Sequence, residues 1–299
     1  LGDVYKRQLY YVFNFSDEFR RQVMDRFADA YGQGRTPNPC IDCNRYLKFR
    51  HLYDRAALMG CDAIATGHYV RIERGENGRY LLKKALDSSK DQSYVLYMLT
   101  QEQLAHTQFP LGALRKAETR QLADSLGFFN ARKPDSQDIC FIPDGDYVQF
   151  LRRHGAELTP GDFVDKDGRV LGRHKGLPCY TSGQRKGLGV AAGKHVYVVR
   201  KNGANNTILL GDDADLFSAA LTASRVNWIA GEAPAAPVRC TAKTRYSQHI
   251  DAPCTAYPLA GEGVRVVFDT PQRAITAGQS VVLYDGDEVL GGGVIDGAE

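Results

Sequence analysis

Residues 44–69 read NRYLKFRHLYDRAALMGCDAIATGHY. Leu47, Leu52, Ala56 and Met59 supply an apolar face, and Gly60 is a stop signal, so a helix is predicted from about Asn44 to Met59. Cys61–Thr66 then reads as a short buried strand, closed by Gly67-His68. Helix followed by short buried strand is the alternation of a parallel sheet with crossover helices, so this part of the chain is expected to be α/β.

Upstream, residues 9–15 (LYYVFNF) read as another strand. Ser16 stands where a helix N-cap would, with Asp17 and Glu18 in the first turn. Phe19, Val23 and Phe27 give that helix one buried face, and Gly32 and Gly34 end it. A domain opening on one strand and one helix is expected to lack its start, and residues 1–8 (LGDVYKRQ) read as a candidate non-native leader. Downstream, residues 71–86 suggest a hairpin turning at Gly75–Gly78. Helices are expected at 92–99, 101–106 and 116–126, the last capped by Gly127. Helical periodicity fades beyond Arg153, where short β-like runs and Gly-rich turns take over, and Val264–Phe268 and Ser280–Tyr284 read as strands. The expected division is 1–144, a small β-rich unit at 145–212, and a β-barrel or sandwich at 213–299.

Composition narrows the function classes. The 299 residues are 43% apolar and 24% charged, which are globular proportions. No long uncharged apolar run suits a membrane span. Seven scattered Cys (40, 43, 61, 140, 179, 240 and 254) are odd in number and do not make a secreted disulfide scaffold; a reducing cytoplasm is the default. Residues 1–212 carry 32 Lys/Arg against 24 Asp/Glu, and residues 213–299 carry 6 against 11. The basic front could face a polyanion; solvated surface is the other reading.

Six segments could carry chemistry. In GRTPNPCIDCN (34–44), two prolines stiffen the backbone ahead of a helix, and Cys43 is expected at or beside its N-terminus, where the dipole favours a thiolate. Half a zinc site, a thioredoxin-type pair and an inert packing Cys are competing readings of the Cys-x-x-Cys. ATGHY (65–69) ends a strand at the edge where parallel sheets bind ligands, with His68 a candidate contact or a structural His. SSKDQSY (88–94) is a polar, cationic loop running into the next element, suited to phosphate contacts or to capping. Cys140, after the polar stretch KPDSQD, is a second candidate thiol or a packing residue. GQRKGLG (183–189) is a flexible cationic loop. KTRY (243–246) sets a basic pair beside an aromatic, suited to stacking on an unpaired base, or is an ordinary strand.

In order along the chain, GRTPNPCIDCN, ATGHY, KDQSYVLY, DSQDICFI, TSGQRKGLG, KTRYSQ and GQSVVLYDGDEVLGGG resemble the tRNA-specific 2-thiouridylases, the MnmA/TrmU family. The resemblance runs from about Leu9 to the C-terminus. It implies a Rossmann-like ATP-pyrophosphatase (PP-loop) domain, a small central domain and a C-terminal β-barrel. It implies an ATP-dependent sulfurtransferase, with Mg2+ for ATP use and no structural metal, that adenylates the wobble uridine of tRNA and replaces its C2 oxygen with sulfur. The other readings are a different PP-loop ATP-pyrophosphatase and a non-catalytic tRNA-binding remnant. By position the resemblance makes Cys140 the persulfide carrier and Cys43 the thiol that releases the sulfur, leaving a Cys43–Cys140 disulfide. It implies ATP contact at Gly67; lining of the target base by Asn38, Pro39 and Cys40; and tRNA contacts at His68, Lys90, Asp91, Gln92, Arg245, Tyr246 and Gln279. A persulfide-donating protein is the implied partner, and the cytoplasm the implied location.

The sequence departs from the family pattern twice. A Ser-Gly-Gly-x-Asp-Ser phosphate loop is not found in residues 1–31, which implies weak ATP binding by the chain as written. Cys40 stands where some members carry an Asp.

Overall fold

The computed structural model describes residues 9–133, 139–156, 158–191 and 193–299; residues 134–138, in the polar stretch before Cys140, lie outside them. Two long helices organise the first unit, α1 (16–32) and α2 (39–58). Gly34 and Gly60 follow them with positive φ, as expected of residues just past a helix end. α2 leads to strand β1 (Ile64–Ala65). After the hairpin of β2 (Val70–Arg74) and β3 (Tyr80–Lys84) and the helix α3 (Gln101–Ala105), β4 (Thr107–Gln108) pairs with β1 in parallel, Ile64 opposite Thr107. Helices α4 (Lys116–Ser125) and α5 (Tyr147–Arg153) complete the unit.

Three local expectations are corrected. Residues 9–15 are extended but pair with no strand among the described residues; Leu9, Tyr10 and Val12 are all more than 70% exposed. Apolar alternation alone does not make a strand without an edge to join. Ser16 is the first helical residue rather than the cap: Asn14 Oδ1 accepts from both its N–H (3.0 Å) and its hydroxyl (2.6 Å). Residues 92–99 form a single 3-10 turn (Ser93–Val95) and further turns, not a helix. Tyr94, Val95, Leu96, Tyr97, Met98 and Leu99 are all buried, so this run has no solvent face and its apolar content carries no period.

The middle unit is a four-stranded sheet of β5 (Gly161–Val164), β6 (Val170–His174), β7 (Tyr197–Asn202) and β8 (Thr207–Gly211) in the order β6-β5-β8-β7. β9 (Phe217–Trp228), β10 (Val238–Lys243), β11 (Ala252–Leu259), β12 (Gly263–Arg273), β13 (Ser280–Asp285) and β14 (Glu288–Ala298) then close into a six-stranded barrel, since β13 pairs with both β10 and β14. Inward positions alternate along the strands, with Ala252, Cys254 and Ala256 buried on β11 and Val264, Val266 and Phe268 on β12.

The barrel does not stand apart from the first unit. Leu82, Tyr94, Leu96, Tyr97 and Leu99 share one core with Val282, Tyr284 and Val289 of β13–β14. Tyr94 Oη donates to the Ser280 carbonyl at 2.8 Å, and Thr36 N–H donates to the Ala277 carbonyl at 2.9 Å. Gly278 lies at φ +92°, and a Cβ there would come within 2.8 Å of Thr36 N. Only glycine lets the barrel loop press this closely on the segment leading into α2.

Candidate active site

The segment TPNPC sets the start of α2. Asn38 caps it, Oδ1 accepting from Cys40 N–H at 3.1 Å, and Pro39 takes the first helical position, where a missing N–H costs nothing. The helix therefore begins four residues before Cys43, earlier than the expected start near Asn44. Cys40 lies in the first turn and Cys43 follows three positions on, so both side chains share one face.

Cys140 reaches that face from a different part of the chain. Its neighbours Ile139, Phe141 and Ile142 pack with Phe27, Ala28 and Tyr31 of α1, and the Phe141 ring stands edge-on to Phe27 at 5.5 Å. Arg26 of α1 bridges to Asp42 of α2 at 3.3 Å, which fixes the two helices side by side. Cys140 stays exposed between half-buried Ile139 and Phe141, close enough to act on both Cys40 and Cys43. Cys140 thus lies within electrostatic reach of both thiols of α2.

The expected dipole-driven thiolate at Cys43 is corrected. Burial pushes the Cys43 thiol up, with Lys48 opposing and Cys140, Cys40 and Asp42 adding to the rise. Cys40 is likewise raised, first by desolvation of its thiol and then by Cys140, against Lys48. The reason is position: with α2 starting at Pro39, Cys43 is beyond the first turn, where the terminal field has fallen off. The nearby positive charge that favours ionisation is the Lys48 ammonium, which no motif singled out; its position five residues past Cys43 on the same helix was the available signal.

Lys48 also ties α2 to the β1 edge. Its Nζ donates to His68 Nε2 at 3.4 Å, and His68 Nδ1 lies 2.8 Å from Thr66 Oγ1. Burial, with Lys48 second, holds His68 down at about 4, so the imidazole is neutral at pH 7. Accepting at Nε2 places its proton on Nδ1. Next to it, Gly67 has ordinary room: an added Cβ would touch Leu111 Cδ1 at 3.6 Å.

The remaining singled-out residues divide by exposure. The Asp91 side chain is 3% exposed; its carboxylate accepts from Ala85 N–H, Ser93 N–H and the Ser93 hydroxyl, and pairs with Lys243 at 3.5 Å. Gln92 exchanges bonds with the Tyr69 backbone, Oε1 accepting at 3.0 Å. Lys90 flanks them in the half-buried loop. Of KTRY, Lys243 and Thr244 turn inward, whereas Arg245 and Tyr246 are exposed. Tyr246 sits beside Gln92, and its hydroxyl is raised by burial, then by Asp91 and Cys40. Gln279 Nε2 donates to the Thr36 carbonyl at 2.7 Å. Cys40, Cys43, Cys140, His68, Gln92 and Tyr246 therefore belong to one region, while Arg245 and Gln279 lie on the barrel side of it.

Among the described residues no three His, Cys, Asp or Glu side chains cluster as a metal site would require, so the zinc reading of Cys40-x-x-Cys43 has no second half there. No helix among them is long and apolar enough to cross a membrane.

Comparison with known proteins covers nearly the whole chain. Residues 8–144 match a tRNA methyl transferase HUP domain, residues 148–212 a tRNA methyl transferase PRC-barrel domain, and residues 218–295 an aminomethyltransferase beta-barrel domain. The tRNA-specific 2-thiouridylase MnmA of Acetivibrio thermocellus is 52% identical over 288 residues, 96% of this chain and 80% of that protein. The MnmA proteins of Clostridioides difficile (49% identical; 96% of this chain, 80% of that protein) and Symbiobacterium thermophilum (51%; 97% and 75%) are similarly related. With half its residues identical to these proteins across its three folded units, the chain belongs to the tRNA-specific 2-thiouridylase family.

Proposed function

We propose that this chain is a tRNA-uridine 2-sulfurtransferase that acts on the wobble uridine, with Cys140 as persulfide carrier and Cys43 as the thiol that frees the sulfur. The packing of the Cys140 segment against α1, within electrostatic reach of the Cys40/Cys43 face of α2, is the observation that supports it. In this reading a donor protein loads sulfur on Cys140, which is exposed enough to be reached. The Cys43 thiolate attacks the inner sulfur of Cys140–S–SH and expels hydrosulfide. A Cys43–Cys140 disulfide is left, to be reduced by an external thiol. The hydrosulfide adds to C2 of the uridine as the C2 oxygen leaves. Lys48 stabilises each thiolate as it forms.

Family membership implies ATP use. When bound, ATP makes the C2 oxygen a leaving group. The described residues offer it an exposed strand edge at Ala65–Gly67 but no glycine-rich cradle for phosphates beside it. Pro39 is buried at the start of α2, and Asn38 and Cys40 flank it at the thiol face, where a base lifted from the anticodon stack would rest. Exposed Tyr246 and Arg245 suit stacking and phosphate contact on that base's flank. We assign the protein to the cytoplasm, with tRNA and a persulfide donor as partners. The units 1–144, 145–212 and 213–299 serve as catalytic, connecting and tRNA-docking parts.

Incubation with a protein persulfide donor, followed by mass spectrometry of the intact chain, tests the carrier step without requiring ATP. Wild type and Cys43→Ser should gain a sulfur atom at Cys140, the latter retaining it. A Cys140→Ser chain that still delivers 2-thiouridine to tRNA in cells lacking their own enzyme would overturn the assignment.

A further inference from the structure

A polar cavity of about 250 Å3 lies on the opposite side of α2 from the thiols, between α1, α2 and the barrel. Arg26, Arg35, Arg45 and Arg225 line it, together with Asp29 and Asp42. Arg26 is paired with Asp42 at 3.3 Å and Arg35 with Asp296 at 3.7 Å. Among the described residues neither Arg45 nor Arg225 has a carboxylate partner, and Asp29 is exposed at the rim. Two guanidiniums, one from α2 and one from β9, thus border a shared polar space in which Asp29 is the one lining carboxylate without an ion pair among the described residues.

Two details suggest that this is more than a crevice between units. Arg225 has φ +52°, in the left-handed region, at a point where the β9–β14 register shifts. Asn or Gly would adopt that backbone at lower cost, so an arginine there carries strain that a role for its guanidinium explains. The wall behind it is built from buried hydroxyls, Tyr97 Oη lying 3.1 Å from Ser280 Oγ, and both Arg45 and Arg225 act on the Tyr97 hydroxyl.

We propose that this cavity binds a phosphate of the RNA backbone next to the target uridine, with Arg45 and Arg225 as its two guanidinium donors. The inference rests on the tRNA reading above. The cavity and the thiol face are separated by one helix diameter, ~10 Å, so a strand with its target base at Cys40 and Cys43 would have to round the start of α2 to place a phosphate there. Guanidinium forks match phosphate oxygens in pairs, which fixes the strand as well as attracting it. Such a contact holds the register of the base over the thiols without reading sequence.

The test uses the full chain and a fluorescent anticodon stem-loop RNA, titrated by anisotropy over a range of salt. Arg45→Gln combined with Arg225→Asn should weaken binding by about tenfold or more at low salt and flatten the salt slope by about one. Arg225→Asn alone should weaken binding while leaving the melting temperature unchanged or higher, because Asn suits the left-handed backbone. Wild-type binding with no change of affinity or slope in the double variant overturns the cavity assignment and leaves the tRNA reading intact. A wild-type chain that fails to bind the RNA overturns the tRNA reading. A thermal shift with pyrophosphate, present in wild type and lost in the double variant while RNA binding is unaltered, would reassign the cavity to free phosphates and overturn the RNA source.

Discussion

Lys48 Nζ stands 3.4 Å from His68 Nε2, and this contact joins the helix that carries two of the thiols to the strand edge that carries the ATGHY block. His68 is held at about 4 by burial and by the Lys48 charge. A histidine whose folded pKa is depressed binds its proton more readily when unfolded, so its neutral form stabilises the fold above the unfolded value near 6.5. That stability is lost as pH falls from about 6.5 towards 4. The expected loss is about 3 kcal/mol. Urea denaturation of wild type and His68→Asn should differ in pH dependence across this window and run parallel above pH 7. Proton NMR of the imidazole should show no titration between pH 5.5 and 8.

Asp91 separates a structural role from a contact role. Its buried carboxylate is engaged by two backbone N–H groups, the Ser93 hydroxyl and Lys243. Asp91→Ala strands Lys243 beside Asp251 alone, at 3.8 Å, and should cost about 3 kcal/mol of stability, measured by chemical denaturation. Stability equal to wild type combined with weakened RNA binding would move Asp91 to the RNA surface.

The Gly278 contact predicts that docking of the barrel depends on one missing side chain. Gly278→Ala adds a Cβ at 2.8 Å from Thr36 N in a backbone region alanine avoids. A loss of about 2 kcal/mol or more is expected. Hydrogen exchange should quicken at Thr36, whose N–H is bonded to Ala277. Unaltered protection at Thr36 would show that the loop accommodates the methyl group elsewhere.

The glycines and prolines made much of this legible in the sequence. Gly60 and Gly127 end their helices with positive φ, Gly75–Gly78 turn the β2–β3 hairpin, and Pro39 marks the start of α2 more closely than the apolar pattern did. Residues 9–15 and 92–99 depart from their sequence pattern because what decides them is tertiary: one lacks an adjacent strand among the described residues, and the other is buried on every side. Pairs distant in sequence were illegible. Nothing near Lys243 announces that it turns inward to Asp91, and nothing in Gln279 announces that its amide is bonded to Thr36. The thiol site is legible only in the ordered blocks that resemble a family, not in spacing, since 96 residues lie between Cys43 and Cys140.

Everything proposed for the chemistry depends on Cys140 meeting Cys43. Mild oxidation of the full chain, alkylation of the remaining thiols and peptide mass spectrometry without reductant measure this directly. A Cys43–Cys140 disulfide should be the main product, with Cys61 and Cys179 alkylated and a Cys40–Cys140 species increasing in Cys43→Ser. Recovery of Cys140 wholly alkylated, with oxidation confined to Cys40 and Cys43 on their own helix, would contradict the meeting of the two segments.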